Sequence, residues 1–200
     1  MKGLLGYVWV YVALQKGLGA DRLRYRCIDE LAPGEAVLDV GCGPAYYFPR
    51  LPQNIRYFGF DTSARYVEYA RGRWGDRASF RCEVFAEAHL AELPPIDTVM
   101  LLGVLHHMSD EECRDLLDLA GRALAPGGQV ISVDTCYEPS QGVVSRWMSR
   151  NDRGGYVRDP AGFTALADKA FASVDGEVVS GVTRIPSSFW QMKMQAPRAA

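Results

Sequence analysis

The chain has 200 residues, 48% hydrophobic and 23% charged, with a formal net charge of −2. That length and apolar content give one domain with a full core, and the near-neutral balance without a basic run excludes an extended phosphate-binding face. Five scattered cysteines form no Cys-x-x-Cys pair, and three histidines stand at no zinc-like spacing, so a reducing compartment is expected and a disulfide framework or structural metal is not.

Residues 3–14 are uncharged and mostly apolar, and end near the small residues Gly17, Gly19 and Ala20. This is the outline of a signal peptide, but it is too short to span a membrane. Read as a helix, it places Tyr11 and Gln15 on one face. Asp21 to Leu31 follows as a second helix, with Asp21 as N-cap, Leu23, Cys27, Ile28 and Leu31 on its apolar side, and Pro33-Gly34 as its end.

Val37-Leu38-Asp39-Val40 is the apolar run of a central parallel strand, and Gly41-Cys42-Gly43-Pro44-Ala45 is a tight turn after it. Glycines there allow close approach of backbone and ligand. Asp39 lies near the strand end, where a carboxylate is costly unless paired. Ile55 to Asp61 is a second strand ending in an acid, which suits the hydroxyls of a ribose. A nicotinamide fingerprint would need glycine where Tyr46 stands, so dinucleotide binding is disfavoured.

Asp39-Val40-Gly41-Cys42-Gly43-Pro44-Ala45, followed by Gly59-Phe60-Asp61-Thr62-Ser63, resembles the signature of the class I S-adenosylmethionine (SAM) methyltransferases, with Ala45 where the third glycine usually stands. The resemblance implies an α/β Rossmann-like fold with a seven-stranded, mostly parallel sheet and an antiparallel last strand. It implies SAM as cofactor, held by Asp39, Gly41, Gly43, Asp61 and Thr62, in a cytoplasmic enzyme. It also favours reading the amino-terminal segment as a capping helix whose Tyr11 and Gln15 reach the methionine end of the cofactor. Export and an interfacial helix touching a membrane are the less favoured alternatives.

Tyr46 to Leu51 is expected as a short helix limited by Pro49 and Pro52, with Tyr46, Tyr47 and Phe48 as packing aromatics. Thr62-Ser63 is expected to cap a helix over 64–74. Ser79 to Phe85 reads as a third strand. Phe85 stands where the family commonly has an adenine-binding acid, so adenine falls to the backbone of Phe85 and Ala86, aided by Glu87. Ile96 to Leu102 is a buried fourth strand whose exit, Gly103-Val104-Leu105-His106-His107, again resembles the family. Leu102 and Gly103 then offer backbone groups to the cofactor, and His106 and His107 lie beside the transferred methyl, where either could act as a base.

Ser109 opens a helix with acids in its first turn, Pro126-Gly127-Gly128 is a turn, and Gln129 to Asp134 is the fifth strand. Residues 135–160 are expected to form an acceptor lid, with Tyr137, Arg146, Arg153, Tyr156 and Arg158 as substrate contacts. Asp159-Pro160 starts a helix over 161–170, strands at 171–179 and 182–194 close the sheet, and residues 196–200 form a frayed tail.

The expectation is one methyltransferase domain over residues 1–200, with capping helices at 1–31, no metal, no nucleic-acid partner and a small-molecule acceptor. The acceptor atom and the oligomeric state stay open. The alternative is a SAM-binding regulatory or assembly protein without transfer activity.

Overall fold

The computed structural model describes residues 8–198; residues 1–7, the first part of the apolar run, and residues 199–200 of the expected tail lie outside them. Seven strands form one sheet: β1 (Ala36–Val40), β2 (Arg56–Phe60), β3 (Ala78–Arg81), β4 (Ile96–Leu102), β5 (Leu124–Thr135), β6 (Phe171–Ser180) and β7 (Ser188–Pro197). Their order is β3-β2-β1-β4-β5-β7-β6. Pairing is parallel from β3 through β5, and β7 runs antiparallel to both β5 and β6. The expected mostly parallel sheet with an antiparallel last strand is thus present.

Every residue of β1 is buried, as its unbroken Ala-Val-Leu-Asp-Val run requires of a strand covered on both faces. Helices α1 (Val8–Leu18), α2 (Asp21–Ile28) and α3 (Ala64–Trp74) accompany the first part of the chain, and α4 (Asp110–Ala123), α5 (Val143–Arg150) and α6 (Pro160–Ala170) the second. Two core clusters divide the apolar side chains: one gathers α4 and α6 residues such as Leu117 and Phe163, the other α2 and α3 residues such as Ile28 and Val67. Strand order reverses between β1 and β4, and an open α/β sheet presents its ligand crevice at that switch, outside the strands' carboxyl ends.

Several local expectations are corrected. Residues 46–51 hold only a 3₁₀ turn, Phe48–Arg50, because Pro49 and Pro52 leave no room for a helix. Ala20, not Asp21, is the N-cap of α2, and Asp21 occupies its first turn. Ser63 caps α3 by position without a side-chain bond; its N–H donates instead to Asp61 Oδ1 at 2.7 Å. Strand β3 ends at Arg81, short of Phe85. Strand β7 starts at Ser188, six residues later than expected, and runs to Pro197, into the segment read as tail.

Strand β5 begins at Leu124 and takes in Pro126-Gly127-Gly128, the expected turn, while three other boundaries match their chemistry. Ser109 accepts from Glu112 N–H at 3.3 Å while Glu112 accepts from Ser109 N–H at 2.8 Å, a reciprocal cap that opens α4. Asp159 Oδ1 accepts from Gly162 N–H at 2.7 Å, and Pro160 takes the first position of α6. Asp97 at the start of β4 accepts from Ala36 N–H at 2.8 Å and ties β4 to β1.

Candidate cofactor and acceptor site

A cavity of about 1110 Å³ opens at the carboxyl ends of β1, β2 and β4. Its floor is the turn after β1. Gly41 has φ +78°, and a Cβ there would sit 2.7 Å from Val104 Cγ2, so only glycine fits between the loops leaving β1 and β4. Ala45 also lies in the left-handed region, at φ 44°. An alanine in place of the third glycine therefore costs conformational energy, about 1 kcal/mol, rather than space.

Asp61, at the end of β2, holds this floor. Its Oδ2 accepts from Gly43 N–H at 2.9 Å while its Oδ1 accepts from Ser63 N–H. The carboxylate faces the cavity with both oxygens fixed and lone pairs to spare. No atom lies within 4 Å of the space a Cβ on Gly43 would fill, so the loop backbone is open to a ligand.

Asp39 is placed differently from the expectation. It is wholly buried behind the turn and does not line the cavity. The hydroxyls of Tyr47 and Tyr57 each donate to its Oδ2 at 2.5 Å, and its Oδ1 has no partner. Burial raises its pKa to about 6, against the opposing pull of the two tyrosines and of Arg24.

The α1 wall carries Tyr11, Gln15 and Leu18. The Tyr11 ring packs against Tyr66 at 5.3 Å and Tyr46 at 6.4 Å, which seats α1 over α3 and the glycine turn. Arg24, from α2, was not singled out in the sequence. Its guanidinium enters the cavity and donates to Gln15 Oε1 at 2.9 Å and Tyr11 Oη at 3.4 Å. Burial opposes its charge, but the surrounding phenols and Asp39 outweigh burial and raise its pKa.

On the opposite side, Thr62, Phe85 and Ala86 line the cavity as expected, joined by Glu83 and Val84. Glu87 does not: it is exposed and paired with Arg122 at 2.5 Å. Leu102 and Gly103 line the cavity as expected; Gly103 N–H is given to Val133 C=O at 2.8 Å, which leaves carbonyls as the backbone groups to offer there.

His106 and His107 stand together, ring centroids 4.1 Å apart. His106 Nδ1 lies 2.7 Å from Asp134 Oδ1, and its Nε2 lies 3.3 Å from Asp152 Oδ1. Neither aspartate was singled out for a site, because β5 and residue 152 meet the histidine only in the fold. Gly154 packs against the same histidine so closely that any side chain would strike its ring and carbonyl, and Tyr156 N–H donates to His106 C=O at 3.1 Å. Residues 152–156 are thereby fastened over one end of the cavity.

Of the expected acceptor contacts, Arg153 lines the cavity; Tyr137, Arg146, Tyr156 and Arg158 do not. Arg158 is consumed structurally, since its guanidinium pairs with Asp110 at 2.7 Å and donates to the carbonyls of Leu105, Met108 and Tyr156. The cavity wall instead carries Leu18, Val133, Met148, Ile185 and Phe189, with Thr135 and Ser187 as hydroxyls. Among the described residues no group of three or more potential metal ligands is found.

Residues 37–128 match the family described as a methyltransferase domain. Probable tRNA methyltransferase 9B of Mus musculus is 34% identical over 110 residues, which cover 52% of this chain and 22% of that protein. The chain thus spans about a fifth of the length of that curated relative. Among solved structures, N-methyltransferase NodS from Bradyrhizobium japonicum superposes with a TM-score of 0.66 at 16% identity, over 89% of this chain and 97% of that one. Human N-acetylserotonin methyltransferase, solved with SAM, superposes with a TM-score of 0.59 at 17% identity, over 82% of this chain and 48% of that one.

Proposed function

We propose that this class I SAM-dependent methyltransferase domain methylates a small, largely apolar molecule. The observation that carries the reading is the Asp61–Gly43 pairing at the sheet's switch point, beneath a cavity large enough for two ligands. Ligand sites commonly occupy about 300–1,000 Å³.

The residues present fit SAM. Asp61 accepts the ribose hydroxyls, Phe85 and Ala86 offer backbone to adenine with Glu83 nearby, and Tyr11, Gln15 and Arg24 take the charged methionine end. The sulfonium of SAM supplies a methyl group that needs no further activation. What the chain adds is alignment and dryness: α1 closes one side, residues 152–156 the other, and the apolar part of the cavity wall holds the acceptor in line. His107, at the rim beside His106, is placed to take a proton from an oxygen or nitrogen nucleophile.

The relative described as a probable tRNA methyltransferase carries the rival reading, an RNA acceptor. Charge supports the small molecule. Of the charged side chains on the cavity wall that are not assigned to SAM, three are carboxylates, Glu112, Asp115 and Asp152, against Arg153 and the His106 ring held between Asp134 and Asp152. A phosphate backbone gains nothing from such a lining.

The test is calorimetric titration with SAM and S-adenosylhomocysteine, followed by transfer from methyl-tritiated SAM into a cell extract. Micromolar binding is expected, at least tenfold weaker in Asp61→Ala, with label in the solvent-extractable fraction. Label in acid-precipitable RNA overturns the acceptor class, and unchanged affinity in the variant overturns the ribose contact.

A further inference from the structure

Helix α5 is built with its polar face inward. Ser145 and Ser149 are buried, and Gln141 Nε2 donates to both hydroxyls at 3.0 and 2.8 Å. Ser145 Oγ meets Ser188 Oγ at 3.2 Å, and Ser149 Oγ donates to Cys136 C=O at 2.9 Å. These bonds fix the helix's rotation and turn Val143, Val144 and Trp147 to solvent, with Val143 87% and Trp147 61% exposed. Scattered exposed apolar side chains need no explanation, but three on an eight-residue helix form a face.

Helix α1 also turns apolar side chains outward: Trp9 is 69% exposed, with Lys16 two turns on along the same face, and Leu14 is exposed further round the helix. Both helices also wall the cavity, α1 through Tyr11, Gln15 and Leu18 and α5 through Met148. Neither contains an aspartate or glutamate, although the chain has 24 acidic residues; their charged residues are Lys16, Arg146 and Arg150, all exposed.

We propose that α1 and α5 form a membrane-docking rim, seated in the headgroup layer of an anionic bilayer with the cavity mouth beside it. Tryptophan favours that layer, aliphatic side chains favour the region beneath it, and lysine and arginine favour anionic headgroups. No helix among the described residues is long and apolar enough to cross a membrane, so the contact is interfacial. A second copy of this chain is the weaker occupant. Across a two-fold axis the patch meets itself, and Arg146 and Arg150 face their own kind with no acid on either helix to pair with. Resting on the methyl-transfer reading, docking would also give an apolar acceptor dissolved in the bilayer a short path past Met148.

The experiment is co-sedimentation of the full chain with phosphatidylcholine vesicles, with and without phosphatidylglycerol, while tryptophan emission is recorded. Binding confined to the phosphatidylglycerol vesicles, a blue shift and weakening by salt are expected. Removing each arginine should cost about fivefold in partitioning, and R146E/R150E at least tenfold. V143S/W147S should abolish the shift contributed by α5. Far-ultraviolet circular dichroism and the unfolding midpoint check that both variants fold, since neither touches the buried serine face. No binding at millimolar lipid, or binding unchanged in both folded variants, overturns the proposal. Micromolar dimerisation abolished by V143S/W147S assigns the face to a second copy and also overturns it. SAM is absent from the assay, so failure of docking and failure of the methyl-transfer reading are separate results.

Discussion

Asp134 grips His106 twice through one oxygen: Oδ1 accepts the backbone N–H at 3.1 Å and lies 2.7 Å from Nδ1. With Asp152 facing Nε2, both ring nitrogens look onto carboxylates, a setting that only the doubly protonated imidazolium satisfies with two donors. Burial pulls the His106 pKa down, but the hydrogen bond and charge of Asp134, with the charge of Asp152, outweigh it and raise the pKa. A raised histidine pKa contributes stability that is fully present below the unfolded value of about 6.5 and is lost as pH rises through the folded value. Asp152→Asn should therefore lower the unfolding midpoint most below pH 6.5, with the difference from wild type shrinking at higher pH. Thermal melts from pH 5.5 to 9 check this. The neighbouring His107 is pushed the other way, first by burial and then by the His106 charge, so it is the neutral ring at the site. His107→Asn should lower kcat while leaving SAM affinity within about threefold.

Arg24 gives the α1 side of the cavity, where the methionine end of SAM is proposed to lie, its fixed positive charge. Its donors already meet Gln15 and Tyr11, so the head is held in place before any carboxylate arrives. Hydrogen bonds to charged groups contribute about 1.5–3 kcal/mol. Arg24→Met should weaken SAM and S-adenosylhomocysteine by about ten- to a hundredfold. Methylthioadenosine, which lacks the amino-acid group, should bind both proteins equally. Equal losses for all three ligands would mean that the substitution disturbed α2 rather than a ligand contact.

The fold was legible from Val37 to Asp134 because β1, β2 and β4 are mostly apolar and are followed by glycine or an acid, which local chemistry sets; β3, Ala-Ser-Phe-Arg, lacks that pattern, and it ends four residues before the expected Phe85. The pairing of Asp61 with the glycine turn follows from the same pattern. What the sequence concealed lies in contacts between distant elements. Arg24 sits on a helix whose pattern shows only its apolar side, and Asp134 reads as the last residue of a strand. Arg158 looked like a ligand-binding arginine because nothing local reveals that Asp110, 48 residues away, claims it. The acid missing after the third strand is a related case: the chain bends after Arg81, and Glu83 reaches the cavity in place of Glu87.

That exchange of acids is testable. Glu83 lines the cavity near Phe85, is half-exposed, and lies 3.5 Å from His89 Nε2, whereas Glu87 belongs to the surface pair with Arg122. Glu83→Ala should weaken binding of SAM and of methylthioadenosine alike, by about threefold to tenfold, as expected for one partly exposed contact to the adenosine. Glu87→Ala should leave both within about twofold. Calorimetry on the two variants separates the readings, and the reverse order would restore Glu87 to the site.

Asp39 carries the clearest pH signature in the fold. Its folded pKa of about 6 lies above the ordinary 3.8, because burial disfavours the carboxylate more than Tyr47, Tyr57 and Arg24 favour it. The native state therefore holds a proton there that the unfolded chain has released, and stability falls as pH rises from about 4 to about 6. At 1.36 kcal/mol per unit, the loss is on the order of 3 kcal/mol. The carboxamide introduced by Asp39→Asn keeps one oxygen for a tyrosine hydroxyl and cannot ionise. The variant's unfolding free energy relative to wild type should rise across that interval and stay level above pH 7, as measured by urea unfolding at each pH. Because Asp39 does not line the cavity, SAM affinity should change by less than about threefold. A tenfold loss in a folded Asp39→Asn protein would instead place the carboxylate in the ligand's path, through movement of the glycine turn on binding.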